Sequence, residues 1–227
     1  KLSLGLDYRA FNNQVLFEGQ GIVPDITVRP ASATWYGVVR GAESELSFNA
    51  GLTSNLSGGN DGGAEDFQRA RAAATSKYTI LRYGFSYLRQ LPQGWQARAL
   101  FNGQHSGNAL VSGEQFGLGG ADSVRGYLLR EVANDRGYTG QLEIYTPELA
   151  SRLGLSDSYK TRLLAFYDFG SVQRNHALPG EAPGDSIGSM GVGARIGYGK
   201  ALSVRLDLAR ILEPTANRSA GSLRLGM

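Results

Sequence analysis

Along most of this chain apolar and polar residues alternate with a period of two. Between residues 1 and 9, Leu2, Leu4, Leu6 and Tyr8 share one face while Ser3, Gly5, Asp7 and Arg9 share the other. That is the pattern of a strand with one greasy side and one wet side. The alternation is poor over 27–40, where Pro30 removes a ladder donor. It returns from residue 44, with Leu46, Phe48, Ala50 and Leu52 opposite Glu45, Ser47, Asn49 and Gly51. Leu81, Tyr83, Phe85 and Tyr87 mark a strand over 78–91, and Pro92-Gln93-Gly94 turns it into another that carries Trp95, Ala97, Ala99 and Phe101 on its apolar face. Further strands are predicted at 138–147, 161–170, 188–198, 202–209 and 223–225, which makes ten in all.

The connections alternate too. They are long at 11–25, short at Gly41, long at 54–76, short at 92–94, long at 106–135, moderate at 148–158, long at 173–185, short at 199–200 and of medium length at 213–218. Long extracellular loops and short periplasmic turns are the arrangement of an antiparallel transmembrane β-barrel. A soluble sandwich has no reason to follow the rule. It puts the 106–135 loop outside and both chain ends in the periplasm. Within the second long connection, residues 64–74 have the composition of a short exposed helix.

Composition fits this reading. The chain has 227 residues with 32 glycines, 11 tyrosines and no cysteine, so no disulfide framework forms. Mean hydropathy is −0.24 and no run of apolar residues is long enough for a transmembrane helix. A barrel strand shows no such run, because lipid-facing and lumen-facing residues alternate. The N-terminus has no signal-peptide pattern. A formal charge of +3, scattered along the chain, gives no basic footprint for nucleic acid.

The wet faces carry Arg98, Glu143, Arg162, Asp168, Arg195, Arg205 and Asp207. Unpaired in hydrocarbon each would cost several kcal/mol, so they must line a water-filled lumen or pair with one another. For most of them the expectation is a mixed-sign lining that keeps a pore hydrated. The face carrying Arg195 also presents Gly191, Gly193 and Gly197, and a face without side chains leaves room for a folded-in loop. The two histidines, His105 beside Ser106 and His176 between Asn175 and Ala177, show no arrangement of nucleophile, base and orienting group. No Walker motif or metal-ligand pattern occurs.

One stretch breaks the alternation. Glu114 to Tyr127 reads Glu-Gln-Phe-Gly-Leu-Gly-Gly-Ala-Asp-Ser-Val-Arg-Gly-Tyr, fourteen residues with four glycines, and does not read as a strand. From the residues alone it is either a long surface loop with a stray arginine or an ordered tip inserted into a cavity. Phe116-Gly117-Leu118-Gly119-Gly120 followed by Ser123-Val124-Arg125-Gly126-Tyr127 resembles the signature of the TpsB proteins, outer-membrane translocators of two-partner secretion, in the superfamily that also contains BamA and TamA. Phe166-Tyr167-Asp168-Phe169-Gly170 is similar to the strand motif Phe-x-Asp-x-Gly of the same family.

The resemblance implies that the loop folds back into the lumen and that Arg125, within Val124-Arg125-Gly126-Tyr127, is matched by the inward carboxylate of Asp168, with Glu143 a second candidate partner. It implies a pore that needs no cofactor and secretes a partner exoprotein, in the outer membrane of a Gram-negative bacterium, after insertion into the lipid bilayer by the barrel-assembly machinery. A barrel-assembly insertase or passive pore shares the fold, and an outer-membrane hydrolase is the rival class. The family's barrels have sixteen strands, so the chain reads as the C-terminal ten. The POTRA domains that recognise the partner and a plug helix are expected to lie outside it. The chain also ends on Met227 where such barrels usually finish on an aromatic residue.

Overall fold

A computed structural model describes every residue except 13–15, 18–19, 22–23, 157 and 227. Ten strands form one antiparallel sheet in chain order: β1 (Leu2–Leu6), β2 (Pro30–Arg40), β3 (Ser44–Asn55), β4 (Thr79–Gln90), β5 (Gln96–His105), β6 (Arg136–Tyr145), β7 (Tyr159–Gln173), β8 (Gly184–Tyr198), β9 (Leu202–Ile211) and β10 (Leu223–Gly226). Each pairs with the next, and among the described residues β1 and β10 each have one neighbour. These are the ten strands that the alternation predicts. The short turns close tightly: the Gly41 amide donates to the Ser44 carbonyl at 2.8 Å, and Gln93 and Gly94 take φ of 60° and 81°.

The alternation resolves into two unlike faces. On β6, Tyr138, Leu142 and Ile144 are 43%, 50% and 44% exposed, while Thr139, Gln141 and Glu143 between them are buried. On β7, Leu163 and Tyr167 are exposed and Leu164, Phe166 and Asp168 are buried. A protein surrounded by water hides its leucines and shows its charges. Here that order is reversed, as it is on the outer face of a transmembrane β-barrel. Along that face rings meet from strand to strand: Phe85 stacks on Phe101 at 5.8 Å, Phe101 on Tyr138 at 5.9 Å, and Tyr138 meets Phe169 edge-on at 6.5 Å. Cross-strand aromatic pairs of this kind also fix register.

Five expectations change. The strand expected at 27–40 is two, because Ile26–Val28 pairs with Arg9–Phe11 and leaves the wall at Arg29, whose amide donates to Asn55 Oδ1 at 2.7 Å. The connection expected at 11–25 is therefore not all loop, and part of it lies outside the described residues, as does Met227. The helix is Ala64–Ala70 and is not simply exposed: Phe67 is fully buried against Ile26, Val28, Tyr78 and Ile80. The stretch that does not read as a strand contains one, Phe116–Leu118, paired with Val132–Asn134 inside the 106–135 loop. Finally, β7 and β8 run to Gln173 and from Gly184, so their connection is shorter than the 173–185 expected.

Candidate functional site

The 106–135 loop leaves β5, forms its small β-pair, turns on Gly119 and Gly120 with φ of 105° and 98°, and brings Val124 to Tyr127 against the polar faces of β6 to β9. Val124 is the apolar anchor, fully buried with Leu118, Tyr127, Val172, Ile187 and Ile211. Gly126 has φ of 91°, and a Cβ there would lie 2.8 Å from Ile211 Cδ1 and 3.0 Å from Ala209 Cβ, so both backbone and space require glycine. The Tyr127 hydroxyl shares its proton between the carbonyls of Glu213 (2.6 Å) and Gly188 (2.9 Å) and accepts from the Gly188 amide at 3.3 Å.

Arg125 lies between these fixed points and is 2% exposed. Its Nε donates to Asp168 Oδ2 and its Nη2 to Asp168 Oδ1, both at 2.6 Å. This is the parallel fork that a guanidinium makes with a carboxylate. Nη1 donates to Glu143 Oε1 at 2.8 Å and lies 3.7 Å from Asp207 Oδ1. The Arg125 amide donates to Asp168 Oδ2 at 3.1 Å. The guanidinium carbon stands 3.6 Å from the Phe166 ring centroid, so one face of the cation rests on an aromatic ring.

Most of the other charges proposed as lining belong to the same network. Arg98 lies 3.6 Å from Glu143 Oε2, which also accepts from the Tyr145 hydroxyl at 2.7 Å. Asp207 has Arg195 at 2.9 Å and Arg205 at 2.6 Å, and Arg205 reaches on to Asp122 at 3.1 Å and the Ala121 carbonyl at 2.6 Å. The four guanidiniums of Arg98, Arg125, Arg195 and Arg205 thus face three carboxylates, those of Glu143, Asp168 and Asp207. Arg162 stands apart at the short-turn end, 3.4 Å from the Thr146 carbonyl and 4.0 Å from Glu148. For these residues other than Arg162, the diffuse lining expected from the sequence is corrected to a paired network. Partners sit on adjacent strands, on the loop or two residues apart on one strand, and the carboxylates, unlike most of the arginines, are buried.

Several contributors do not stand out in the sequence. Gln141 donates to the Ser123 carbonyl at 2.7 Å, and its inward parity is the signal that could have found it. Phe166 carries the same signal. Glu114 is fully buried between Arg9 (2.7 Å) and Arg82 (3.4 Å), and the sequence carries no sign of it. His105 and His176 are exposed and far apart in the chain, and the described residues hold no cluster suited to a metal. What the arrangement can do is hold a loop: it offers buried ion pairs and hydrogen bonds to one cation.

A sheet greasy outside and charged inside, with a glycine-rich loop clasped to the charged face, defines a transmembrane β-barrel protein. The chain belongs to the haemolysin secretion/activation protein family ShlB/FhaC/HecB, whose family model matches residues 23–196. Its similarity to the TpsB translocators is therefore shown. Among solved structures it is similar to CdiB from Escherichia coli, with a TM-score of 0.78 at 17% identity over 99% of this chain and 40% of that one. It also matches CdiB from Acinetobacter baumannii, with a TM-score of 0.48 at 16% identity over 98% of this chain and 46% of that one. No curated protein sequence matches. The chain thus spans less than half the length of the CdiB structures, and its ten strands form part of a β-barrel fold.

Proposed function

We propose that this chain forms part of the wall of a Gram-negative outer-membrane pore through which a partner exoprotein is secreted, and that the Arg125 loop is the pore's internal lock. The observation that carries the reading is the 2%-exposed Arg125, clasped by Asp168 and Glu143 on the inward faces of two wall strands. Family membership supplies the direction: a buried cation pair holding a loop against the inside of a barrel from a secretion family is a device for closing a protein-conducting path. The exoprotein threads the lumen unfolded from the periplasmic side, the loop is displaced or rearranged, and exposed backbone within the lumen guides the extended chain by strand addition. Reaching the membrane requires the barrel-assembly machinery, and the outer face of β1 to β10 meets lipid. The transport role needs no cofactor and no catalytic group.

The test is secretion of the co-encoded exoprotein by the full-length parent carrying Arg125→Ala, with barrel abundance measured in the same membranes. Loss of secretion at normal abundance supports a transport role for the loop arginine. Secretion at the parent's level would reduce the motif to a structural staple. Solute flux without release of the exoprotein would favour a passive pore, and activity in outer-membrane protein insertion would favour an insertase.

A further inference from the structure

At the end of the sheet where the long connections lie, three of them converge on one buried ion pair. Arg71 follows the helix in the 56–78 connection, and Asp135 stands just before β6. Asp135 is fully buried, and the Arg71 side chain is 14% exposed. Nη1 of Arg71 bonds Asp135 Oδ1, and Nη2 donates to Oδ2 at 2.9 Å. The carboxylate also accepts the backbone N–H groups of Leu110 at 2.8 Å and Asn175 at 2.6 Å. Arg71 in return donates to the carbonyls of Leu110 at 2.6 Å and Asn175 at 3.2 Å. The Asn175 side chain closes the set on the carbonyls of Ser106 (2.7 Å) and Asn108 (2.8 Å). Burial alone would raise the Asp135 pKa, but Arg71 and the two amides outweigh it and hold the carboxyl below the usual carboxylate range.

Beside this node the connections have a core of their own. Phe67, Ala74, Tyr78, Leu110 and Val111 pack with Ile26, Val28 and Ile80, and Phe11 adds to it from the first connection. The cluster sits on the inward side of β3 to β5. Ile80 is an inward side chain of β4, Asn55 at the end of β3 donates to the Ser76 carbonyl at 2.7 Å, and Gln104 of β5 donates to the carbonyls of Glu114 (2.9 Å) and Asp135 (3.1 Å). Surface loops ordinarily lack a core and a buried, fully partnered charge pair. Here both lie among the long connections at one end of the sheet, on the inward side of β3 to β5.

We propose that Arg71 and Asp135 are a second lock, separate from Arg125, which holds the long connections as a lid over the lumen and must release for a chain to pass. The two locks share the 106–135 loop but close on different partners: Arg71 and Asn175 hold Asp135, whereas Asp168 and Glu143 hold Arg125. The lid pair can therefore part while the Arg125 fork stays closed. The passage of an exoprotein rests on the function proposed above. The existence of an independent lid does not.

The chain has no cysteine, so once any cysteine in the rest of the parent is replaced, single introduced thiols report each lock. In the full-length parent, maleimide labelling is followed at Ala74→Cys, inside the lid core, and at Val124→Cys, on the buried side of the loop. Arg71→Ala is expected to speed labelling at residue 74 by about tenfold or more and to leave residue 124 at the parent's rate. Equal acceleration at both sites, or at neither, overturns the second lock. Should Arg71→Ala fail to insert, a cysteine pair at Asn108 and Asn175 joined by a bismaleimide provides the converse arm. Residue 74 is then expected to be protected and exoprotein release lost at normal barrel abundance. A cross-linked lid that secretes at the parent's rate also overturns the proposal. If the unmodified parent releases no exoprotein, the secretion reading fails, and the labelling comparison alone decides the lid.

Discussion

Removing the Arg125 side chain has a cost that can be worked out partner by partner. Glu143 keeps Arg98 at 3.6 Å, and Asp207 keeps Arg195 and Arg205 at 2.9 and 2.6 Å. Asp168, fully buried, keeps only the backbone amide of residue 125 and no cation. In Arg125→Ala one carboxylate is therefore left uncompensated in a closed site, a penalty of about 3–5 kcal/mol. At about 1.4 kcal/mol per decade, the docked loop loses roughly two to three and a half orders of magnitude in its equilibrium with the undocked one. Asp168→Asn is milder. Arg125 then still has Glu143 at 2.8 Å and Asp207 at 3.7 Å, and the loss is that of a charge-assisted bond, about 1.5–3 kcal/mol. The assay is the rate of maleimide labelling at Val124→Cys in the full-length parent, where reaction tracks the open population as long as the loop closes faster than the thiol reacts. The expected order is Arg125→Ala fastest, Asp168→Asn intermediate and parent slowest. The reversed pair Arg125→Asp with Asp168→Arg should recover part of the protection that either reversal loses. If Arg125→Ala labels within about threefold of the parent, the ion pair does not hold the loop and the stated energy is wrong.

Two further predictions follow from the same geometry. Gly126→Ala places a methyl group against Ile211 and Ala209 on a residue with φ of 91°, which strains the backbone by about 1–2 kcal/mol before any clash. Labelling at residue 124 should rise by roughly tenfold, with the wall intact by heat-modifiable gel migration. On the outer face, Leu142→Arg is expected to destabilise the barrel by about 2–4 kcal/mol and lower its abundance. Ser203→Glu, on the inward face of β9, should leave abundance unchanged within about 0.5 kcal/mol of the parent's stability. Equal effects of these two would contradict the assignment of faces.

The wall is legible in the sequence because its side chains report two solvents. A period of two over most of the ten segments distinguishes an apolar from a polar face without reference to any distant residue, and parity alone puts Asp168 and Glu143 on the inward face. Arg125 is legible only as part of a motif, since alternation says nothing about a glycine-rich loop. The lid is not legible. Arg71 and Asp135 are 64 positions apart, each a lone charge in a connection, and nothing near either encodes the other. Phe67 reads as one apolar residue in a polar helix, and its burial depends on Ile26 and on Val28, the latter assigned to the wall by the alternation. The break at Arg29 has a similar origin: its amide is taken by Asn55 at the end of β3 and its side chain by Gly58 in the connection that follows.

The docked loop also inspects the wall it rests on. Its four motif residues touch Glu143 on β6, Asp168 on β7, Gly188 on β8 and Asp207 on β9. Slipping β7 by one residue would turn Asp168 and Phe166 out to the lipid and bring Tyr167 in, because neighbours in a strand point to opposite faces. The loop then meets a phenol where it needs a carboxylate, and Arg125 is left buried without its fork. Docking is thus a simultaneous readout of four strand registers by one short motif, and only a correctly assembled sheet passes it. The arginine that the fork holds against the wall thereby also checks how that wall was built.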